Sequence, residues 1–152
     1  MSAEKLLEHV RKLKEEAIRL NERRALAMTC KGDLNIVVRI AELVKGRRSV
    51  CVVDEDSDGE ALASALEKLG YEKVLYKEAS SCMGQSFDSL LLDLRNNFNP
   101  DDVAMLLETL KGGSLAIMLF KELAPYVTRF HRELLVKGKK EQELKLCFTS
   151  RF

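Results

Sequence analysis

The chain has 152 residues, of which 46% are hydrophobic and 32% are charged, and these values fit one domain with a buried core. No run reaches the roughly 18 uninterrupted apolar residues that a membrane helix needs, and residues 1–16 are too charged for a signal peptide. We therefore expect a cytoplasmic protein without membrane contact.

The net charge of +1 hides an uneven distribution along the chain. Residues 1–24 carry seven Lys and Arg against five acids, residues 25–128 eleven against sixteen, and residues 129–152 seven against three. Basic ends around an acidic middle are typical of arms that meet a nucleic acid or an acidic partner, but solvated helix faces and a frayed tail produce the same pattern. The abundance of Lys, Glu and Arg also favours a thermophilic source.

Apolar runs and helical periodicities alternate along the chain. Five apolar runs predict strands, at 24–30, 49–54, 73–76, 87–93 and 114–120. Amphipathic or capped stretches predict helices at 3–23, 33–45, 61–69, 101–111 and 127–136. The last stretch, ELKLCFTS, could add an edge strand.

Particular residues predict where these helices begin and end. Ser2 is expected to cap the first helix, and Asn99 followed by Pro100 is expected to open the fourth. Gly46 and Gly70 are expected to end the second and third helices, and Gly112-Gly113 to end the fourth.

Alternating strands and helices predict an α/β fold: a single three-layer domain with a mostly parallel five-stranded sheet, Rossmann-like or RecA-like but without a P-loop. We expect strand order 3-2-1-4-5. Residues 1–152 are read as one domain, with an N-terminal helix at 1–23, a core at 24–136 and a basic tail at 137–152.

With that strand order, the ligand crevice would lie between the loops 29–33 and 93–97. Its candidate residues are Lys31, Gly32, Asp54, Asp93 and Arg95. The segment TCKGDLN lacks the GxxxxGK[ST] pattern of a P-loop, and GxGxxG is absent, so a bound nucleotide is not expected.

The segment DEDSDG, which starts at Asp54, resembles two known motifs in part. It resembles an EF-hand loop, but Ala65 occupies the position of the bidentate carboxylate. It also resembles the first motif of the DHH phosphoesterases, although the chain has no paired histidines. The alternatives are acidic residues at a helix start, or a small metal- or nucleotide-dependent hydrolase using Lys31, Asp54, Asp56, Asp58 and Asp93.

The remaining chemistry-bearing residues do not form a recognisable site. The chain contains neither a CxxC pair nor a GxSxG motif, and its two histidines, His9 and His131, are isolated from the cysteines. Neither a metal site nor a catalytic residue is therefore predicted. Cys30 and Cys51 lie in apolar runs and are expected to be small buried side chains.

Residues 83–120 form the most specific pattern in the chain. Its defining positions are Gly84, Phe87, Asp88, Asp93, Phe98, Pro100, Asp101, Asp102, Lys111, Gly112 and Gly113. This segment is similar to one that characterises the tRNA(Met) cytidine acetyltransferases. TRFHRELL at 128–135 and the opening RRALAMTCKGD also resemble that family, so the resemblance covers about residues 23–136.

The resemblance implies an enzyme that acetylates N4 of a cytidine in RNA, using acetyl-CoA and ATP. In the family those cofactors belong to an acetyltransferase domain and an ATPase domain that follow this module, so no cofactor is expected here. The chain is then either a shortened form of a longer enzyme or a natural stand-alone relative.

We expect a non-catalytic accessory module that docks on tRNA, on another RNA, or on a catalytic acetyltransferase/ATPase subunit. The candidate contact residues are the basic ones near both ends: Arg11, Lys12, Lys14, Arg129, Arg132, Lys139 and Lys140. Besides the hydrolase, a protein-interaction domain that binds a partner helix on the apolar stripe of residues 6–20 remains open.

Overall fold

Strands and helices alternate throughout the computed structural model, which describes residues 2–30 and 33–121. The strands are β1 (Arg24–Thr29), β2 (Ser49–Val53), β3 (Glu72–Leu75), β4 (Phe87–Asp93) and β5 (Leu110–Phe120). The α-helices are α1 (Ala3–Leu20), α2 (Asn35–Val44), α3 (Ser57–Glu67) and α4 (Pro100–Glu108), and a 3-10 helix spans Tyr76–Cys82. The helix predicted at 127–136, the basic tail and the segment ELKLCFTS lie outside the described residues.

The five strands form one parallel sheet in the order β1-β5-β4-β2-β3. This confirms the predicted three-layer α/β class. The predicted order 3-2-1-4-5 is wrong, because β1 pairs with β5 at the edge of the sheet. In this arrangement β5, which is buried from Ser114 to Phe120, has a strand on each side. Strand β1 lies at the edge and is only partly covered.

Helices cover both faces of the sheet and divide the core into two clusters. The side chains of α1, α2 and α3 pack with Cys51 and Val53 on one face. Those of α4 and the 3-10 helix pack with Val50 and Val52 on the other face. Because successive side chains of a strand point to opposite faces, a strand covered on both faces is apolar throughout, as β2 is.

The connections obey one handedness. The connections β1–β2 and β2–β3 move along the sheet toward β3 and pass through α2 and α3 on one face. The connections β3–β4 and β4–β5 move in the opposite direction and pass through the 3-10 helix and α4 on the other face. A single handedness requires this separation, because reversing the direction of a crossover moves its helix to the opposite face.

The apolar stripe of α1 packs inside the domain. Leu7, Val10 and Ala17 are buried, and Leu6 and Leu13 pack against the same core cluster. This contact with the sheet accounts for most of the apolar positions that had suggested a partner helix, whereas Ile18 and Leu20 of the stripe are exposed. Among the described residues, no helix combines the length and the apolar character required to cross a membrane.

The structure confirms three helix ends. The Ser2 side chain accepts a hydrogen bond from the backbone N–H of Lys5 at the start of α1. The Asn99 side chain accepts one from the backbone N–H of Asp101 at the start of α4, where Pro100 is the first helical residue. Gly70 follows α3 with a φ of +98°.

The predicted roles of Gly46 and of Gly112-Gly113 are wrong. Gly46 does not adopt the left-handed conformation of a glycine cap; a Cβ there would lie 2.4 Å from Cβ of Asp88, so the position needs a glycine for close packing. Helix α4 already ends at Glu108, and the glycine pair lies inside β5, where the pairing with β4 shifts register. The glycines lie at this bulge of β5, which packs against the turn between α1 and β1.

Candidate functional site

The reversal in strand order occurs between β2 and β4. The chain leaves β2 for α3 on one face and leaves β4 for α4 on the other, so a crevice opens between residues 54–57 and 94–99. The predicted crevice between 29–33 and 93–97 is therefore misplaced, because β5 separates β1 from β4. Asp54, Asp93 and Arg95 lie at this switch point of the sheet, whereas Lys31 and Gly32 lie outside the described residues.

Arg95 neutralises Asp93 at the end of β4. Its Nε lies 2.8 Å from Oδ1 of Asp93 and its Nη2 lies 2.9 Å from Oδ2, with the two side chains only 8% and 6% exposed. The hydrogen bond to Asp93 raises the pKa of the Arg95 guanidinium. Arg95 also donates to the backbone oxygen of Asp58. The pair thus ties the two crevice loops together, and both carboxylate oxygens of Asp93 are engaged.

Asp56 caps α3. Its side chain accepts from the backbone N–H of Gly59 at 2.6 Å and from the Asn96 side chain at 2.9 Å, and these bonds lower the pKa of Asp56. Asn96 also donates to Asp58 at 3.2 Å. The acids at the helix start therefore have structural partners, which favours the helix-start interpretation of DEDSDG.

Asp54 gives the crevice its acidic character. Burial raises the pKa of Asp54, and the charges of Asp56, Asp93 and Asp102 raise it further. Within the described ranges, no three His, Cys, Asp or Glu side chains are arranged to hold a metal ion. The carboxylates of Asp93 and Asp56 are occupied by Arg95, Asn96 and Gly59, and this arrangement gives no support to the hydrolase alternative.

The three predicted basic residues of α1 differ in their surroundings. Arg11 and Lys12 are exposed, and Lys12 lies 3.5 Å from Glu8. Lys14 is half-buried, and its Nζ donates to the backbone oxygen of Leu43 at 3.0 Å. The other predicted contact residues, Arg129, Arg132, Lys139 and Lys140, lie outside the described residues.

The amino-terminal ends of the strands form a basic edge opposite the crevice. Arg24 begins β1, Arg47 and Arg48 precede β2, and Lys111 lies at the start of β5. A cavity of about 200 Å³ opens at this edge, lined by Lys14, Val44, Lys45, Gly46, Arg47, Asp88, Gly113, Ser114 and Leu115. Lys45 and Arg47 were not among the predicted contact residues, although the run KGRR between a helix and a buried strand marks this edge.

Comparison with known proteins relates the chain to one family of N-terminal domains. The family described as "tRNA(Met) cytidine acetyltransferase TmcA, N-terminal" matches residues 1–152. A tRNA(Met) cytidine acetyltransferase TmcA from Thermofilum pendens is 28% identical over 165 aligned positions, which cover 96% of this chain and 21% of that protein. TmcA proteins of Pyrococcus furiosus and Pyrococcus abyssi are 30% and 31% identical over 81 positions, about half of this chain and 10% of theirs.

The chain thus spans about a fifth, or less, of the length of these relatives. The family match, by contrast, extends over the whole sequence, including the residues that form the crevice and the basic edge. The chain belongs to the family of N-terminal domains of tRNA(Met) cytidine acetyltransferase TmcA.

Proposed function

We propose that this chain is a non-catalytic accessory module that supports acetylation of a cytidine in tRNA or another RNA by docking on that RNA. The match of the TmcA N-terminal family over residues 1–152 carries the proposal. In this proposal the module acts in the cytoplasm of a thermophile, beside an acetyltransferase and ATPase subunit that uses acetyl-CoA and ATP. Related TmcA proteins from thermophiles support that source.

The charge distribution favours RNA over other macromolecular partners of the module. Phosphate contacts from Lys and Arg supply affinity without reading sequence, and each contact releases counterions. The candidates for these contacts are Arg11, Lys12, Lys14, Arg129, Arg132, Lys139 and Lys140. The acidic crevice on the opposite edge would repel phosphates, so the RNA should approach from the basic side.

Fluorescence anisotropy of labelled tRNA, measured at about 50 and 200 mM salt, tests this proposal. We expect binding at low salt that weakens steeply at high salt. A charge-reversal variant with Glu at Arg129, Arg132, Lys139 and Lys140 should lose most of the affinity. The matched control carries Glu at Lys5, Lys68, Lys73 and Lys77, which changes the net charge equally, and it should bind more tightly than the test variant.

Two outcomes would overturn RNA docking. One is the absence of tRNA binding by the unmodified chain at low salt, which would move docking on a protein partner to first place. The other is a complex whose affinity does not depend on salt, because counterion release could not then be its driving force.

A further inference from the structure

We infer that the cavity at the amino-terminal edge of the sheet is a phosphate site, and that it takes a phosphodiester group of the RNA backbone. We call it the basic cavity, and its lining was given above with its volume of about 200 Å³. The RNA source rests on the proposed function, whereas the preference for a phosphate oxyanion rests on the geometry of the cavity.

Two cationic side chains line the basic cavity from separate elements. Lys14 belongs to α1, and Arg47 belongs to the turn between α2 and β2. Lys45 lies in the same turn, but its Nζ lies beside Gly70, which is not part of the lining. Neither Lys14 nor Arg47 forms an ion pair with a carboxylate of the described part of the chain, whereas Arg23, Arg24, Arg39 and Lys77 do. These two cations are therefore available for an anion from outside.

Asp88, the acidic residue of the lining, is already neutralised. Its Oδ2 accepts from the backbone N–H of Arg48 at 2.9 Å, and its Oδ1 lies 3.4 Å from Nζ of Lys111. The backbone N–H of Asp88 donates to the backbone oxygen of Arg48 at 2.8 Å. Asp88 thus holds the turn that carries Lys45 and Arg47, and its charge is balanced before any ligand arrives.

The Lys14 ammonium keeps free donors at the cavity. It uses one donor on Leu43, which leaves two of its three N–H groups. This ammonium and the guanidinium of Arg47 together match several acceptor oxygens of one phosphate group.

The size and position of the cavity favour a backbone phosphate. One water occupies about 30 Å³ of liquid, so the cavity has room for a phosphate group together with water molecules. Arg48 lies next to the cavity on the same edge, in a position that suits contact with a neighbouring phosphate of an RNA strand.

Binding of a short labelled oligoribonucleotide to the full chain, measured across a salt series, tests the inference. The variant Lys14→Ala/Arg47→Ala should bind about tenfold more weakly, and the slope of log affinity against log salt should fall by about one. Arg47 is exposed and Lys14 is half-buried, and a urea denaturation curve will verify that the variant is folded. The control Lys5→Ala/Lys77→Ala removes the same charge away from the cavity and should bind better than the test variant.

A titration with inorganic phosphate at constant ionic strength, followed by amide NMR, tests the cavity without RNA. We expect the amide signals of Gly46, Gly113 and Ser114 to shift with phosphate but not with chloride, and the shifts to disappear in the double variant. Unmoved signals would overturn the phosphate site, even if RNA binds elsewhere.

The two experiments separate this inference from RNA docking itself. If the oligoribonucleotide binds the parent and the double variant equally, the cavity is not the RNA contact and the inference fails, while RNA docking stands. If phosphate shifts the three amides but the parent binds no RNA, the proposed function fails and the cavity is a site for a free phosphate, so its assignment to RNA also fails.

Discussion

Two buried tyrosine hydroxyls show how differently the same group can be placed. The Tyr71 hydroxyl donates to the backbone oxygen of Ala41 at 2.7 Å and lies 3.1 Å from Oγ of Ser89, which links α2 to β4. The Tyr76 hydroxyl is buried without a hydrogen-bond partner in the described part of the chain. Burial raises the pKa of both, that of Tyr71 to about 12, so both are neutral phenols at pH 7.

We predict different effects of removing these hydroxyls. Tyr71→Phe should lower the free energy of unfolding by about 1–2 kcal/mol, because it removes the buried hydrogen bonds of the hydroxyl with the Ala41 oxygen and with Ser89. Tyr76→Phe, its matched control, should leave that free energy unchanged or raise it, because the lost hydroxyl had no partner. Urea denaturation of both variants measures the difference, and equal losses would contradict this account.

Asp54 and Asp56, two positions apart, affect stability in opposite directions. The hydrogen bond from Gly59, followed by that from Asn96, lowers the pKa of Asp56 in the folded state. Asp56 therefore stabilises the fold above the pKa of an unfolded aspartate, about 3.9, and this contribution is lost as the pH falls. Burial and neighbouring acids raise the pKa of Asp54, so its ionised form destabilises the fold at neutral pH.

Substitutions at these two positions should separate the effects. Asp56→Ala should cost about 1 kcal/mol at pH 7 through the lost helix cap. Asp54→Asn should raise the free energy of unfolding at pH 7, and this gain should shrink toward zero as the pH falls to about 3, where Asp54 is protonated in both the folded and the unfolded state. Urea curves measured across that pH range test both signs; a gain for Asp54→Asn that grows in acid would contradict the assignment.

At the scale of elements, the turn between α1 and β1 is fitted to the bulge of β5. Asn21 ends α1 in the left-handed conformation with a φ of 52°, and Gly113 donates its backbone N–H to the oxygen of Glu22. A Cβ on Gly112 would lie 2.7 Å from Oδ1 of Asn21 and 3.0 Å from its backbone oxygen. The glycine therefore permits the close packing of these two chain segments.

We predict that Gly112→Ala lowers the free energy of unfolding by about 1–3 kcal/mol, as overpacked positions do. The double variant Asn21→Gly/Gly112→Ala should recover part of this loss, because it removes the Oδ1 atom while glycine accepts a positive φ. A double-mutant cycle in urea measures the coupling. Purely additive effects would show that the two residues do not meet.

At the scale of the whole described sheet, charge separates by edge. Acids gather where β2 and β4 end, whereas Lys and Arg gather where β1, β2 and β5 begin. The strands are parallel, so all the loops after strands meet at one edge and all the segments before strands meet at the other. A sequence with little net charge thus presents two edges with opposite electrostatic character.

This arrangement predicts how the chain responds to the ligands of a hydrolase. Millimolar ATP with magnesium or manganese should not raise the melting temperature, because the carboxylates of Asp93 and Asp56 are occupied by Arg95, Asn96 and Gly59. A ligand that binds the native state must stabilise it, so a clear rise would revive the metal- or nucleotide-dependent alternative. Arg95→Met, measured in parallel, would show whether any such rise arises at the crevice.

Local sequence determined much of this protein. The apolar runs specified the five described strands, Ser2 and Asn99 specified two helix starts, and the motif at 83–120 indicated the family. These features depend on neighbours within a few residues, because capping bonds, periodicity and turn conformations are local.

Tertiary structure alone decided the strand order, and with it the positions of the sites. Placing β1 beside β5 moved the crevice away from residues 29–33 and brought Lys14 of α1 to the turn that carries Lys45 and Arg47. The glycines at 46 and 112 follow the same principle, since each meets a residue far away in the chain. A hydrophobic pattern indicates which face of a helix or strand is buried. The order in which the strands lie side by side depends on how the whole sheet packs.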